Sequence, residues 1–134
     1  MKIVLDTNVF VSALFWNGNE RQVLNKCRTK ELELIISPEI LNEIDRVLEL
    51  KFSVTDDKRG DYLRNIILVA KLVFPASRIG AIKSDISDNR ILECAVDANA
   101  EFIVSGDGHL LSLAVYEGIT ILNASAFLKV LKSS

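Results

Sequence analysis

Four acidic side chains stand where an ordinary solvated surface does not call for them. Asp6 follows the apolar run KIVL directly, and Asp107 follows FIVS after a single glycine. Glu43 lies inside the amphipathic stretch PEILNEIDRVLEL, and Asp88 opens DNRILECAVDANA. Gathered at close range, like charges repel and raise one another's pKa, so such a set is tolerable where it holds a divalent cation. Oxygen ligands, with no Cys or His at zinc spacing, favour Mg²⁺ or Mn²⁺ over Zn²⁺. A pair of such ions about 4 Å apart can activate a water and stabilise the leaving oxygen of a phosphodiester.

Whether the four acids meet depends on the elements that carry them. KIVL (2–5) reads as a short buried strand, followed by helices over 8–16 and about 18–30 with Gly18 at the break. LELIIS (32–37) is a second strand, and Pro38, harmless at a first helical turn, opens a helix reaching about Leu50. SVTDDKRG (53–60) reads as a polar connection, 61–71 as a helix and LVFP (72–75) as a third strand. A loop, SDISDN (84–89), leads into a helix over 89–99; EFIVS (101–105) is a strand, 108–117 a helix, ITIL (119–122) a strand and 124–132 a last helix. Alternating strands and helices predict an α/β fold with a mostly parallel central sheet of about five strands, covered on both faces in a three-layer, Rossmann-like arrangement. In such sheets function collects at the carboxyl ends of the strands, which is where Asp6 and Asp107 fall.

Each acid also has a plainer reading. A lone aspartate after a strand is usually a helix N-cap, a role open to Asp6 or Thr7 and to Asp88. On the wheel of the helix from Glu39, Ile40, Leu41, Ile44, Val47, Leu48 and Leu50 cover one arc, with Asn42, Asp45, Arg46 and Glu49 opposite. Glu43 falls inside the apolar arc, where it needs a cation, a hydrogen-bond network or a cleft edge; an ion pair with a distant residue is the alternative. Ile91, Ala95 and Ala98 form the inner face of the next acidic helix, and Asp88 shares it; Asp97 lies off it and is expected in solvent.

At 134 residues, 49% hydrophobic and 25% charged, the chain is expected to form one globular domain over 1–134. No apolar run approaches the ~20 residues of a membrane span, and no basic stretch before an apolar run suggests a leader. Cys27 and Cys94 are too few for a disulfide framework and read as buried thiols of a cytoplasmic protein. A net charge of −2 is no footprint of a non-specific nucleic-acid coat; the local clusters Lys26, Arg28, Lys30 and Lys58, Arg59 read first as mixed solvated surface.

Taken in order, LDTNVFVSAL, SPEILNEIDRVL, SDNRILECAVDANAEFIVSGDGHLL and GITILNASAFL resemble the PIN-domain family, over nearly the whole chain. The kinship is with the small prokaryotic PIN proteins of toxin–antitoxin systems, relatives of the VapC toxins. The resemblance implies a Rossmann-like fold and a metal-dependent ribonuclease using Mg²⁺ or Mn²⁺, with an acidic set carried over onto Asp6, Glu43, Asp88 and Asp107. Asn8 and Ser105 match the polar residues that accompany those acids, Ser105 standing where relatives often have threonine, and Asp85 lies where related sequences often carry another acid. It further implies an RNA substrate, a homodimer and a small antitoxin partner. In the homodimer the apolar helix with Leu63, Ile66, Ile67, Leu68 and Val69 would take part. A PIN fold kept as a binding or assembly module, or a structure-specific DNA nuclease, are the alternatives.

Other motifs fail on particular residues. A haloacid-type phosphatase needs an aspartate where Asn8 stands, and GDGHLL lacks the last glycine of a dinucleotide loop. Ser12 has no base at hand. His109, the single histidine, reads as a helix-start surface residue able to donate to a phosphate near Asp107, and Trp16 as packing.

Overall fold

The computed structural model describes residues 1–76, 78–81 and 86–133; Asp85 lies outside them. The apolar runs form the strands β1 (Lys2–Leu5), β2 (Glu33–Ile36), β3 (Lys71–Leu72), β4 (Phe102–Val104), β5 (Val115–Tyr116) and β6 (Ile119–Leu122). They form one sheet, in the order β3-β2-β1-β4-β6-β5. Every pairing is parallel except that of β5 with β6. The middle of the sheet is the core: Ile3, Val4, Leu5, Ile36, Ile103 and Val104 have no exposed surface.

From β1 the chain moves outward through β2 to β3, then returns to the other side of β1 to place β4. The order therefore reverses between β1 and β4, and a crevice opens beyond their carboxyl ends. Asp6 and the segment Ser105–Asp107 leave the sheet at that point.

The helices are α1 (Thr7–Phe15), α2 (Asn19–Arg28), α3 (Pro38–Leu50), α4 (Asp56–Val69), α5 (Ile86–Ala98), α6 (Gly108–Leu113) and α7 (Ala124–Ser133). Ser37 caps α3, its side chain accepting from the Ile40 N–H at 3.3 Å, and Pro38 takes the first turn as expected. Ile40, Ile44 and Leu48 of α3 are buried. Leu50, placed in that arc by the wheel, is 72% exposed because it falls on the last turn, beyond the packed face. α3 lies between α1 and α5, and α5 crosses β1, β2 and β4.

Several expected boundaries move, each for a local reason. α4 begins at Asp56, inside the stretch read as a polar connection. Thr55 caps it and Asp56 and Asp57 occupy its first turn, where carboxylates meet the positive end of the helix. Arg59 is accordingly no part of a solvated basic rim: it is buried and pairs with Asp45 and Glu49 of α3 and with Asp56. The helix expected over 108–117 ends at Leu113, and β5 follows. Glu117 and Gly118, with φ of 47° and 80°, form the two-residue turn that returns the chain antiparallel into β6, as a hairpin with both central residues at positive φ requires. β3 is shorter and one residue earlier than LVFP suggests, though the Val73 N–H still donates to the Ile36 carbonyl at 2.8 Å. Trp16, read as packing, is 60% exposed and meets Phe15 edge-on. Both cysteines are buried and free; burial pushes the Cys27 and Cys94 thiols up to about 12. No helix among the described residues is long and apolar enough to cross a membrane.

Candidate metal centre and the adjoining cavity

Asp6 is the first residue beyond β1, and its backbone N–H extends the ladder to the Val104 carbonyl at 2.9 Å. The side chain is buried and makes no cap hydrogen bond to α1, so the capping reading fails for Asp6. Its carboxylate instead accepts from Ser105 Oγ at 2.8 Å, and Ser105 Oγ accepts in turn from the Asp107 N–H at 2.9 Å. Ser105, 1% exposed, thus ties the ends of two neighbouring strands together.

Asp107 is an N-cap: one carboxylate oxygen accepts from the His109 N–H at 2.8 Å and the Leu110 N–H at 3.2 Å. This fixes the orientation of the carboxylate at the crevice mouth. Asp88 lies in the first turn of α5, which starts three residues earlier than its sequence suggests, and its side chain is 6% exposed. One ligand atom each from Asp88, Asp107 and His109 lies within 4.8 Å of the others. His109 Nδ1 stands 3.9 Å from Asp88 Oδ2 and 3.8 Å from Asp107 Oδ1. Asp88, Asp107 and His109 are so placed that they could hold a divalent cation, the two carboxylates suiting Mg²⁺ or Mn²⁺ and the imidazole a transition ion; Asp6, held by Ser105, is not among those three. In sequence His109 gave only a weak signal, its position two residues beyond Asp107.

Glu43 stands apart from that cluster. It lines a cavity of about 650 Å³ with Thr7, Glu39, Asn42, Arg46, Ser87 and Arg90 among its walls. Its side chain is 27% exposed and, among the described residues, it pairs with Arg46, 3.7 Å away on the same helix, rather than with a distant partner. Thr7 follows Asp6, and Ser87 precedes Asp88, so the cavity adjoins the acidic cluster. Asn8 is exposed on the first turn of α1.

One acid missed from the sequence is Glu93. It points away from the apolar face of α5, yet is 1% exposed. The chain after β3 covers it: the Ile79 N–H donates to Glu93 at 2.8 Å, and Arg78 and Arg90 pair with it at 3.1 and 2.8 Å. Asp97, exposed as expected, accepts from the Ala76 N–H in the same covering segment.

A family model described as PIN domain matches residues 2–109. An uncharacterised protein of Methanocaldococcus jannaschii, MJ1680, is 31% identical over 123 residues, spanning 84% of this chain and 75% of that protein. In the crystal structure of VapBC2 from Rickettsia felis bound to a DNA fragment from their promoter, a chain superposes with a TM-score of 0.68 at 16% identity, covering 92% of this chain and 98% of the other. The crystal structure of PAE2754 from Pyrobaculum aerophilum superposes with a TM-score of 0.63 at 14% identity over 100% of both chains.

Proposed function

The chain belongs to the PIN-domain family, and we propose on that footing that it is a metal-dependent endoribonuclease, the toxin of a toxin–antitoxin pair acting in the cytoplasm. The observation that carries this reading is the bridge Asp6–Ser105–Asp107 across the strand-order reversal, with Asp88 and His109 facing Asp107. Asp6, Asp88 and Asp107 would hold Mg²⁺ or Mn²⁺. The ion, when bound, supplies an activated water and stabilises the leaving oxygen of the phosphodiester.

The chain's own residues do the rest. Ser105 holds the Asp6 carboxylate in place and the Asp107 backbone close to it. Glu43, at the edge of the adjoining cavity, would orient the attacking water or contribute a further metal ligand. Asn8 would donate to a phosphate oxygen, and Asp85, outside the described residues, would be the further acid that the family resemblance implies. A small antitoxin protein would be the partner, as the likeness to a chain of the VapBC2 complex supports. A homodimer would form through α4, where Ile67 and Leu68 are 48% and 78% exposed; a monomer by light scattering at tens of micromolar, an order-of-magnitude working concentration, would remove the dimer.

The deciding experiment incubates the purified protein with labelled RNA and with DNA of the same sequence, in Mg²⁺, in Mn²⁺ and in chelator. Internal cuts in RNA that need metal are expected. Cutting of DNA alone makes it a DNA nuclease, and binding without cutting makes it a binding module.

A further inference from the structure

The cavity between α3 and α5 contains two arginines that the cation chemistry does not use. Arg90 is held from behind: one guanidinium nitrogen pairs at 2.8 Å with the buried Glu93, itself fixed by the Ile79 N–H. Arg90 lines the cavity, and its side chain is only 26% exposed. A guanidinium anchored this way loses little freedom on meeting an anion and meets it partly desolvated. Arg46, on α3, lines the same cavity and is 71% exposed, and its 3.7 Å approach to Glu43 is longer than a hydrogen bond.

The acids in the same cavity narrow the choice of anion. Glu39 and Glu43 oppose a free phosphate or a terminal phosphate dianion, whereas a diester carries one charge and brings ribose hydroxyls that donate to carboxylates. Resting on the nuclease reading above, we propose that this cavity is the subsite for the phosphate and ribose flanking the cut bond of the RNA strand. Arg90 and Arg46 are its positioning residues, and Glu39 and Asn42 meet the sugar.

The test compares wild type with Arg46→Gln and Arg90→Gln on a 12-nucleotide RNA and on a dinucleoside monophosphate, which lacks the flanking phosphate. Arg46 is exposed enough to be changed without touching the core. Each variant should raise KM for the 12-mer about tenfold and change kcat/KM on the dinucleoside monophosphate by far less. In chelator, where nothing is cut, the slope of log Kd against log salt for the 12-mer should become shallower by about 0.7 per arginine removed. If wild type cuts the 12-mer and both variants match it in KM and salt slope, the subsite is overturned while the nuclease reading stands. If wild type binds the 12-mer with the arginine-dependent slope but never cuts it, the subsite stands and the nuclease reading falls. If wild type neither binds nor cuts, both fall.

Discussion

Glu93 and Glu43 each have an arginine three residues away on their own helix, and the two regions treat the same pairing in opposite ways. Glu93 is 1% exposed and collects Arg90, Arg78 and the Ile79 N–H. Glu43 is 27% exposed and, among the described residues, has one loose cation at 3.7 Å. The first carboxylate is consumed by structure: its charge is balanced and its oxygens are bonded, so it pins the segment after β3 onto α5. The second is left accessible in the wall of the cavity between α3 and α5. A buried acid with full partners is frame, and a half-buried acid at a cavity wall with an incomplete set is available for ligand.

The largest effect should come from exchanging charge on the frame side. Glu93→Gln leaves two partly exposed guanidinium groups facing a neutral amide, and weakening these charged hydrogen bonds costs about 2 kcal/mol. Chemical denaturation should show a lower midpoint with an unchanged slope. Glu43→Gln should stay within about 0.5 kcal/mol of wild type in the same experiment. Equal losses in the two variants would erase the distinction drawn here.

Activity should rank the residues the other way. Asp6→Asn keeps the shape and the Ser105 hydrogen bond but weakens cation binding, and RNA cleavage should fall at least about a hundredfold with the fold retained. Glu43→Gln should lose about tenfold or more. Initial rates at matched metal concentration measure both, and an Asp6→Asn protein that cuts at the wild-type rate removes the site assignment.

How much of this contrast is legible in the sequence depends on distance along the chain. The strand-end positions of Asp6 and Asp107 follow from short apolar runs that end abruptly, and local periodicity suffices to find them. The burial of Ile40, Ile44 and Leu48 follows from the same kind of pattern. Glu93 is invisible to it, because what covers that residue is a segment fourteen residues earlier whose sequence has no period. The start of α4 was written in the chain as Thr55, Asp56, Asp57, but the charges that make a good first turn also look like a loop. β5 was lost because two residues are too few to show alternation, and the Glu117–Gly118 turn was the signal to weigh instead.

Divalent ions should sharpen the comparison thermally. An ion bound only by the native state at about ten times its Kd adds about 1.4 kcal/mol, or about 4 °C for a chain of this size. Wild type and Tyr62→Phe should show that rise in Tm on adding Mg²⁺ or Mn²⁺, and Asp107→Asn should show less of it. A rise of the same size in Asp107→Asn would leave Asp107 as a helix cap and no more.

The smallest effect belongs to Tyr62, a frame residue of α4 that reaches across to α1, the helix that starts beside Asp6. Its buried hydroxyl donates to the Phe10 carbonyl, joining α4 to α1. Tyr62→Phe removes that bond, which should cost about 1 kcal/mol near neutral pH and leave cleavage and the metal-induced rise unchanged. Burial pushes the Tyr62 hydroxyl up from 10.0 to about 12, so between those values the native state holds a proton that the unfolded state has released. The stability this contributes is fully present below pH 10 and declines as pH rises toward 12. Urea melts from neutral pH into that window should therefore show wild type losing stability more steeply than Tyr62→Phe, and the two curves should cross inside the window, because a shift of this size outweighs a bond worth about 1 kcal/mol. Parallel curves would mean that the hydroxyl reaches water in the native state and that α1 is held to α4 by apolar contacts alone.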